Sequence, residues 1–246
     1  MKNNKGKTSK IPDAFMQASI GEQMHMLAYE ECEGVLNDYP YADEKYAEGF
    51  KWLKEQADAD RREYQCQYGN VLIWAVGDLA GIEYLKRSYE NGCVEAAYSL
   101  GDLYAYDADW GDEFQPDIDE AIFWFERAEQ LGSISAADRL GELLYPAAVR
   151  RFKNGTGIDF VRRVAVLTQK AAEAGYACSQ MRLAAMYADG MVSEGADENV
   201  DSEAEARYWL LMAEKCGSDL AHQCIGLILS GCSAKEAVDS CREKIS

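Results

Sequence analysis

Four glycines constrain this chain more than any other feature: Gly92, Gly132, Gly175 and Gly217, spaced 40, 43 and 42 residues apart. Aligned on them, the chain falls into columns. Eight residues before each glycine stands Tyr84, Trp124, Leu167 or Trp209, and four before stands Ser88, Ala128, Ala171 or Ala213. Four after stands Ala96, Ala136, Ser179 or Ala221, and eight after stands Leu100, Leu140, Leu183 or Ile225. Nine after come Gly101, Gly141, Ala184 and Gly226, and twelve after come Tyr104, Leu144, Tyr187 and Leu229. Spacings of four and eight put side chains on one helical face. Large residues there bury area, and small ones let a second helix approach. The glycine between them ends one helix in the left-handed conformation that only glycine adopts cheaply. Each unit therefore reads as helix, tight turn, helix.

The pattern A-x3-LG-x2-Y, a loop, then A-x2-W-x3-A-x3-G resembles the Sel-one-like repeat family, a relative of the tetratricopeptide repeats. Residues 94–132 carry it best, through Ala96, Leu100, Gly101, Tyr104, Ala121, Trp124, Phe125, Ala128 and Gly132. The match runs from about Gly81 to Leu229. Upstream, Trp52, Leu53, Tyr64, Tyr68 and Gly69 fit the columns, with Asp60 in the place of the anchoring glycine. Between 144 and 163 the pattern departs, and Pro146 with NGTGID at 154–159 points to a longer loop. The resemblance implies an all-α, right-handed α/α solenoid of about five to six antiparallel helix pairs, and a role in scaffolding protein complexes. The expected organisation is a disordered basic tail over 1–14 and a solenoid over 15–232, degenerate before about 80 and clear over 81–229. A capping helix over 233–246 would close it, opened by the capping box SAKE at 233–236. Met16 to Leu36 reads as an amphipathic helix.

Composition agrees with helices: 48% of residues are hydrophobic and only four are proline. The formal net charge of -18 disfavours nucleic acid and anionic lipid and favours a basic protein partner. No apolar run approaches the roughly 20 residues of a membrane span. The lysine-rich start is not followed by an apolar stretch, so no secretion signal is read. The eight cysteines fit reduced thiols in a cytoplasmic protein, expected to be a monomer.

No catalytic constellation is visible. His25 and His222 are the only histidines, and HExxH, CxxC, GxGxxG and GxxxxGK[ST] are absent. No catalytic residue, metal or cofactor is expected, and the chain is not read as an enzyme. The acidic loop before Ile118 fails as a calcium loop: counted from Asp107, Gly111 falls at position 5 and Ile118 at position 12, where ligands are needed. Instead Asp117 is expected to cap the next helix, with Asp119 and Glu120 in its first turn. The other residues, Asp107, Asp109, Trp110, Asp112, Glu113 and Phe114, form a rim. Trp110 and Phe114 either pack on a neighbouring helix or stand as an exposed anchor. Cys216, Cys224 and Cys232 are each eight apart. Their spacing resembles the C-x7-C of disulfide-rich secreted members, in a different register. A basic island, Arg150, Arg151, Lys153, Arg162, Arg163 and Lys170, contacts an acidic segment, the acidic neighbouring repeats, or water.

Positions left over by packing define the expected concave groove: Tyr98, Asp102, Asp138, Arg139, Glu142, Met181 and Arg182. Tyrosine and arginine are common anchors of protein contacts. The expected function is a non-enzymatic adaptor that binds a partner protein through this groove. The alternatives are an acidic immunity protein or inhibitor that neutralises a basic toxin or enzyme, and a secreted bacterial effector or regulator contacting host proteins.

Overall fold

The computed structural model describes residues 44–105, 114–192 and 201–242. The tail over 1–14, the helix read over 16–36 and the rim over 107–113 lie outside the described residues. Within them the chain forms eleven α-helices and no strand. It divides into two compact units, up to Ala121 and from Ile122 onward.

The first unit holds α1 (Glu44–Asp58), α2 (Arg62–Val71) with a π-helical turn (Leu72–Val76), α3 (Gly81–Glu90) and α4 (Val94–Ala105). Its core is Leu53, Ala57, Tyr68, Val71 and Leu72, flanked by Phe50, Trp52, Tyr64 and Tyr84. The aromatic rings meet edge-on: Trp52 against Tyr64 at 5.2 Å and Tyr68 against Tyr84 at 4.8 Å between centroids. Such contacts add to area burial. Helices α2 and α3 meet through backbone, because Gly69 and Gly81 carry no side chain at the crossing. A methyl group on Gly69 would stand 2.8 Å from the Gly81 carbonyl oxygen.

Asp60 occupies the glycine position of this degenerate repeat and adopts its conformation. With φ 63° it is the one non-glycine in the left-handed region among the described residues. Its carboxylate compensates locally, accepting from Gln65 Nε2 at 2.8 Å and Asn91 Nδ2 at 3.3 Å. Asp60→Val, which loses both bonds and adds a β-branched clash, is expected to cost about 2 kcal/mol in urea unfolding. Asp60→Asn keeps most of the stability, since asparagine tolerates this region and can still accept a hydrogen bond. Equal losses in the two variants would show that φ is not the controlling strain.

The second unit takes up α5 (Ile118–Gln130, its first turn in the first unit), α6 (Ile134–Lys153), α7 (Ile158–Glu173), α8 (Ala177–Ala188), α9 (Ser202–Lys215), α10 (Asp219–Leu229) and α11 (Ala234–Cys241). The anchoring glycines do what their column predicts. Gly132 has φ 96°, its N–H bonds the Glu129 carbonyl at 2.8 Å, and the Ser133 N–H bonds the Ala128 carbonyl at 2.9 Å. Ser133 then caps α6, its hydroxyl accepting from the Ala136 N–H at 3.2 Å. Ser218 repeats this after Gly217, capping α10 through the Ala221 N–H at 3.2 Å. One three-residue turn thus satisfies the end of one helix and the start of the next. The small columns are buried without exception: Ser88, Ala128, Ala171 and Ala213, then Ala96, Ala136, Ser179 and Ala221.

The expectation of a longer loop between 144 and 163 is corrected. Helix α6 runs unbroken to Lys153 with Pro146 inside it, and only residues 154–157 connect it to α7. Proline lacks the N–H that would have bonded the carbonyl of residue 142. Here Pro146 and Glu142 are both exposed, so the carbonyl without a donor lies on the solvent side of the helix. At the other end, SAKE forms the capping box: the Ser233 hydroxyl accepts from the Glu236 N–H at 3.2 Å, and Glu236 Oε2 accepts from the Ser233 N–H at 2.8 Å. Helix α11 buries Ala237 and Val238 but leaves Leu229 of α10 84% exposed.

Candidate protein-binding surface

The seven expected groove residues divide by unit and by burial. In the first unit Tyr98 and Asp102 project from α4, both half-buried. Burial pushes the nearby Glu95 carboxyl above its ordinary value, reinforced by Cys93 and Asp102. In the second unit α6 presents Asp138 and Arg139 half-buried and Glu142 exposed. Arg139 Nη1 donates to Glu142 Oε2 at 2.6 Å, and its guanidinium stands 5.8 Å from the Phe125 ring centroid.

Met181 and Arg182 do not face outward as the groove reading required. Both are buried, as is every residue of α8 from Ser179 to Met186. Helix α8 packs against α6, α7, α9 and α11, so it has no solvent face in this stretch. Arg182 is the cement of that packing. Its Nη1 donates to Ser179 Oγ at 3.1 Å and stands 3.6 Å from Asp138 Oδ1, and Ser179 in turn donates to Asp138 at 2.5 Å. Asp138 therefore looks inward, toward α8. The sequence carried one signal of this: Ser179 is the one polar residue in a column otherwise made of alanine.

Of the acidic rim, only Phe114 lies among the described residues. It packs on Tyr104 with 5.1 Å between centroids. Asp117 caps α5 as expected, its Oδ1 accepting from the N–H groups of Asp119 at 2.9 Å and Glu120 at 3.2 Å. The basic island is partly spent on a neighbouring repeat: Arg163 pairs with Glu126 at 2.5 Å and Lys170 with Glu129 at 2.7 Å, joining α7 to α5. Arg162 pairs with Asp159 at 3.2 Å, and Arg151 lies over the Phe160 ring at 4.1 Å. Cys216 is exposed and Cys224 buried, and the described cysteines are free thiols.

A second surface was not found from the columns. Phe123, Val166 and Tyr208 lie on α5, α7 and α9, each nine residues before the turn glycine, and they are 43%, 65% and 51% exposed. Phe123 and Tyr208 meet the adjacent buried Trp124 and Trp209 edge-on, at 5.2 and 5.1 Å. The ion pairs between α5 and α7 bring the first two helices of this row together. The signal lay one position upstream of the large-residue column.

The chain is similar in structure to a Sel1 repeat protein from Oxalobacter formigenes, with a TM-score of 0.54 and 25% identity, covering 95% of this chain and 89% of that one. It is also similar to c5321, a protective antigen of uropathogenic Escherichia coli with the same fold, at a TM-score of 0.56 and 22% identity. That match covers 94% of this chain and 46% of the antigen. No family profile and no curated protein sequence matches the chain. The fold is an all-α solenoid of Sel1-like repeats. No helix of the described residues is long and apolar enough to cross a membrane.

Proposed function

We propose that this chain, a Sel1-like repeat protein by fold, is a non-enzymatic interaction module that holds a partner protein on exposed side chains of its repeats. The observation that carries the reading is the row Phe123, Val166 and Tyr208. Three repeats in succession spend an apolar side chain on solvent at one register. An exposed apolar set of this kind is characteristic of contact surfaces, and aromatic residues dominate their energetics. The stripe of Arg139 and Glu142 on α6, within the second unit, is a second candidate face. The net charge of -18 favours a basic partner and faster association with it, which also supports an inhibitor or immunity protein as the alternative. The module would act as a monomer in the cytoplasm.

Photocrosslinking residues at positions 166 and 142 test the choice of face. Capture of one protein at 166 and not at 142, in native lysate, identifies the apolar row. The reverse result moves the contact to the stripe, and no capture at either position overturns the proposal. With the partner in hand, Val166→Glu is expected to weaken binding by roughly tenfold or more, without changing the unfolding curve. Release by raised salt would mark the partner as basic.

A further inference from the structure

The cysteines that matter are not those with the eight-residue spacing. Cys66, on α2, is 95% buried, its relative exposure being 5%. Cys93 lies between α3 and α4, half-buried, in the N-cap position that serine holds at residues 133 and 218. Several bonds seat this turn on α2. Ser88 Oγ donates to the Arg62 carbonyl at 2.6 Å, and Asn91 Nδ2 donates to Gln65 Oε1 at 3.1 Å. A methyl group on Gly92 would lie 3.5 Å from the Arg62 guanidinium. Cys66 is one helical turn beyond Arg62, on the same face of α2, so the turn sets Cys93 against it. The Cys93 N–H bonds the Ser88 carbonyl at 3.0 Å, which holds Cys93 beside the residue that rests on Arg62, one turn from Cys66.

We propose that Cys66 and Cys93 form a peroxide-sensitive thiol pair, with Cys93 as the attacking sulfur and Cys66 as the resolving one. The surroundings divide the roles. The Cys66 thiol and the N–H groups of Ala96 and Glu95 stabilise a Cys93 thiolate against partial burial, holding its pKa down to about 5. Arg62 is drawn on electrostatically from α2. The opposing charge is Glu95, whose own carboxyl is pushed toward its neutral form by burial and by Cys93. Cys66 is pushed far above the ordinary thiol range by the neighbouring Cys93 and by burial, and so keeps its proton. It also accepts from Asn70 Nδ2 at 3.6 Å. The other thiol pair, Cys224 with Cys241, differs: both are buried, and burial drives Cys224 up to about 12.

The chemistry balances with a hydroperoxide as oxidant. The Cys93 thiolate attacks the terminal oxygen, an S–O bond forms, the O–O bond breaks, and the departing alkoxide or hydroxide takes a proton from solvent. Cys66 then loses its proton and attacks the sulfenic sulfur. The S–S bond forms and hydroxide leaves, to be protonated to water. Two thiols lose two electrons, and hydrogen peroxide becomes two waters. The product would tie α2 to the turn before α4.

The test uses the intact chain. At pH 6, residue-resolved iodoacetamide labelling is expected to modify Cys93 roughly tenfold faster than the more exposed Cys178 and Cys216. Brief exposure to hydrogen peroxide, followed by non-reducing digestion, should yield the peptide linked through Cys66 and Cys93. In Cys66→Ser the Cys93 sulfenic acid should persist and be trapped by dimedone. Labelling of Cys93 no faster than Cys216, or oxidation that leaves Cys66 and Cys93 unlinked in the wild-type chain, would overturn the assignment. Both decisive readouts need no variant, so misfolding of Cys66→Ser does not blur them.

Discussion

Arg182→Met is expected to lower the unfolding free energy by about 3 kcal/mol, read from the midpoint of urea denaturation. The side chain of Arg182 is 5% exposed and that of Asp138 is 16% exposed. Removing the guanidinium leaves the Asp138 charge facing α8 without its cation, and strips Ser179 Oγ of a donor. Breaking one half of a buried pair typically costs about 3–5 kcal/mol, because the remaining charge stays desolvated. The residual exposure of Asp138 sets the value at the lower end. The double variant Asp138→Leu/Arg182→Met should recover most of the loss, since replacing both partners with apolar groups removes the stranded charge. By contrast, Glu142→Ala breaks only the exposed Arg139–Glu142 pair and is expected to stay within about 0.5 kcal/mol. Equal effects at 182 and 142 would mean that Arg182 is not part of the core. The cycle would then fail to show coupling.

The second large effect is expected at the crossing of α2 and α3. Gly81→Ala should destabilise the first unit by roughly 2–3 kcal/mol. The new methyl group would run into the Gly69 carbonyl oxygen and stand 2.8 Å from Ile73 Cγ1. The carbonyl belongs to a helix backbone and cannot rotate away, so the two helices must move apart. That separation loosens Tyr68 and Leu72, which form the core beside it. Gly69→Ala makes the same clash from the other side, at 2.8 Å from the Gly81 carbonyl, offset in part by the better helix propensity of alanine. It should cost less than Gly81→Ala. Urea unfolding of both variants checks the order. A gain in stability from either would show that the helices slide easily and that the close approach is not a constraint.

Much of the helix content was legible because a repeat states the same local problem several times. A glycine with positive φ, a small residue four before and four after it, and a capping serine or aspartate are local requirements. Local requirements leave residue types at fixed offsets. This is why Asp60 could be placed in the glycine column although it is not a glycine, and why Asp117 and Ser233 could be read as caps. Pro146 misled for the same reason. Its local meaning is a helix break, yet on an exposed face the carbonyl left without a donor is open to solvent, and α6 continues to Lys153.

The sequence by itself determined the helix–turn–helix units at the four glycines and the small-residue side on which their helices pack, since these follow from offsets along one chain. Tertiary structure alone decided how many sides of a helix are covered. Met181 and Arg182 lie on the face of α8 left over by the repeat columns, but α8 is enclosed by α6, α7, α9 and α11, so that face is interior. Conversely, Phe123, Val166 and Tyr208 have the composition of a core and stand in water. The meeting of Cys66 with Cys93 likewise depends on the seating of one turn on a helix from the preceding repeat. Burial is a property of all neighbours at once, and spacing along the chain reports only the nearest of them.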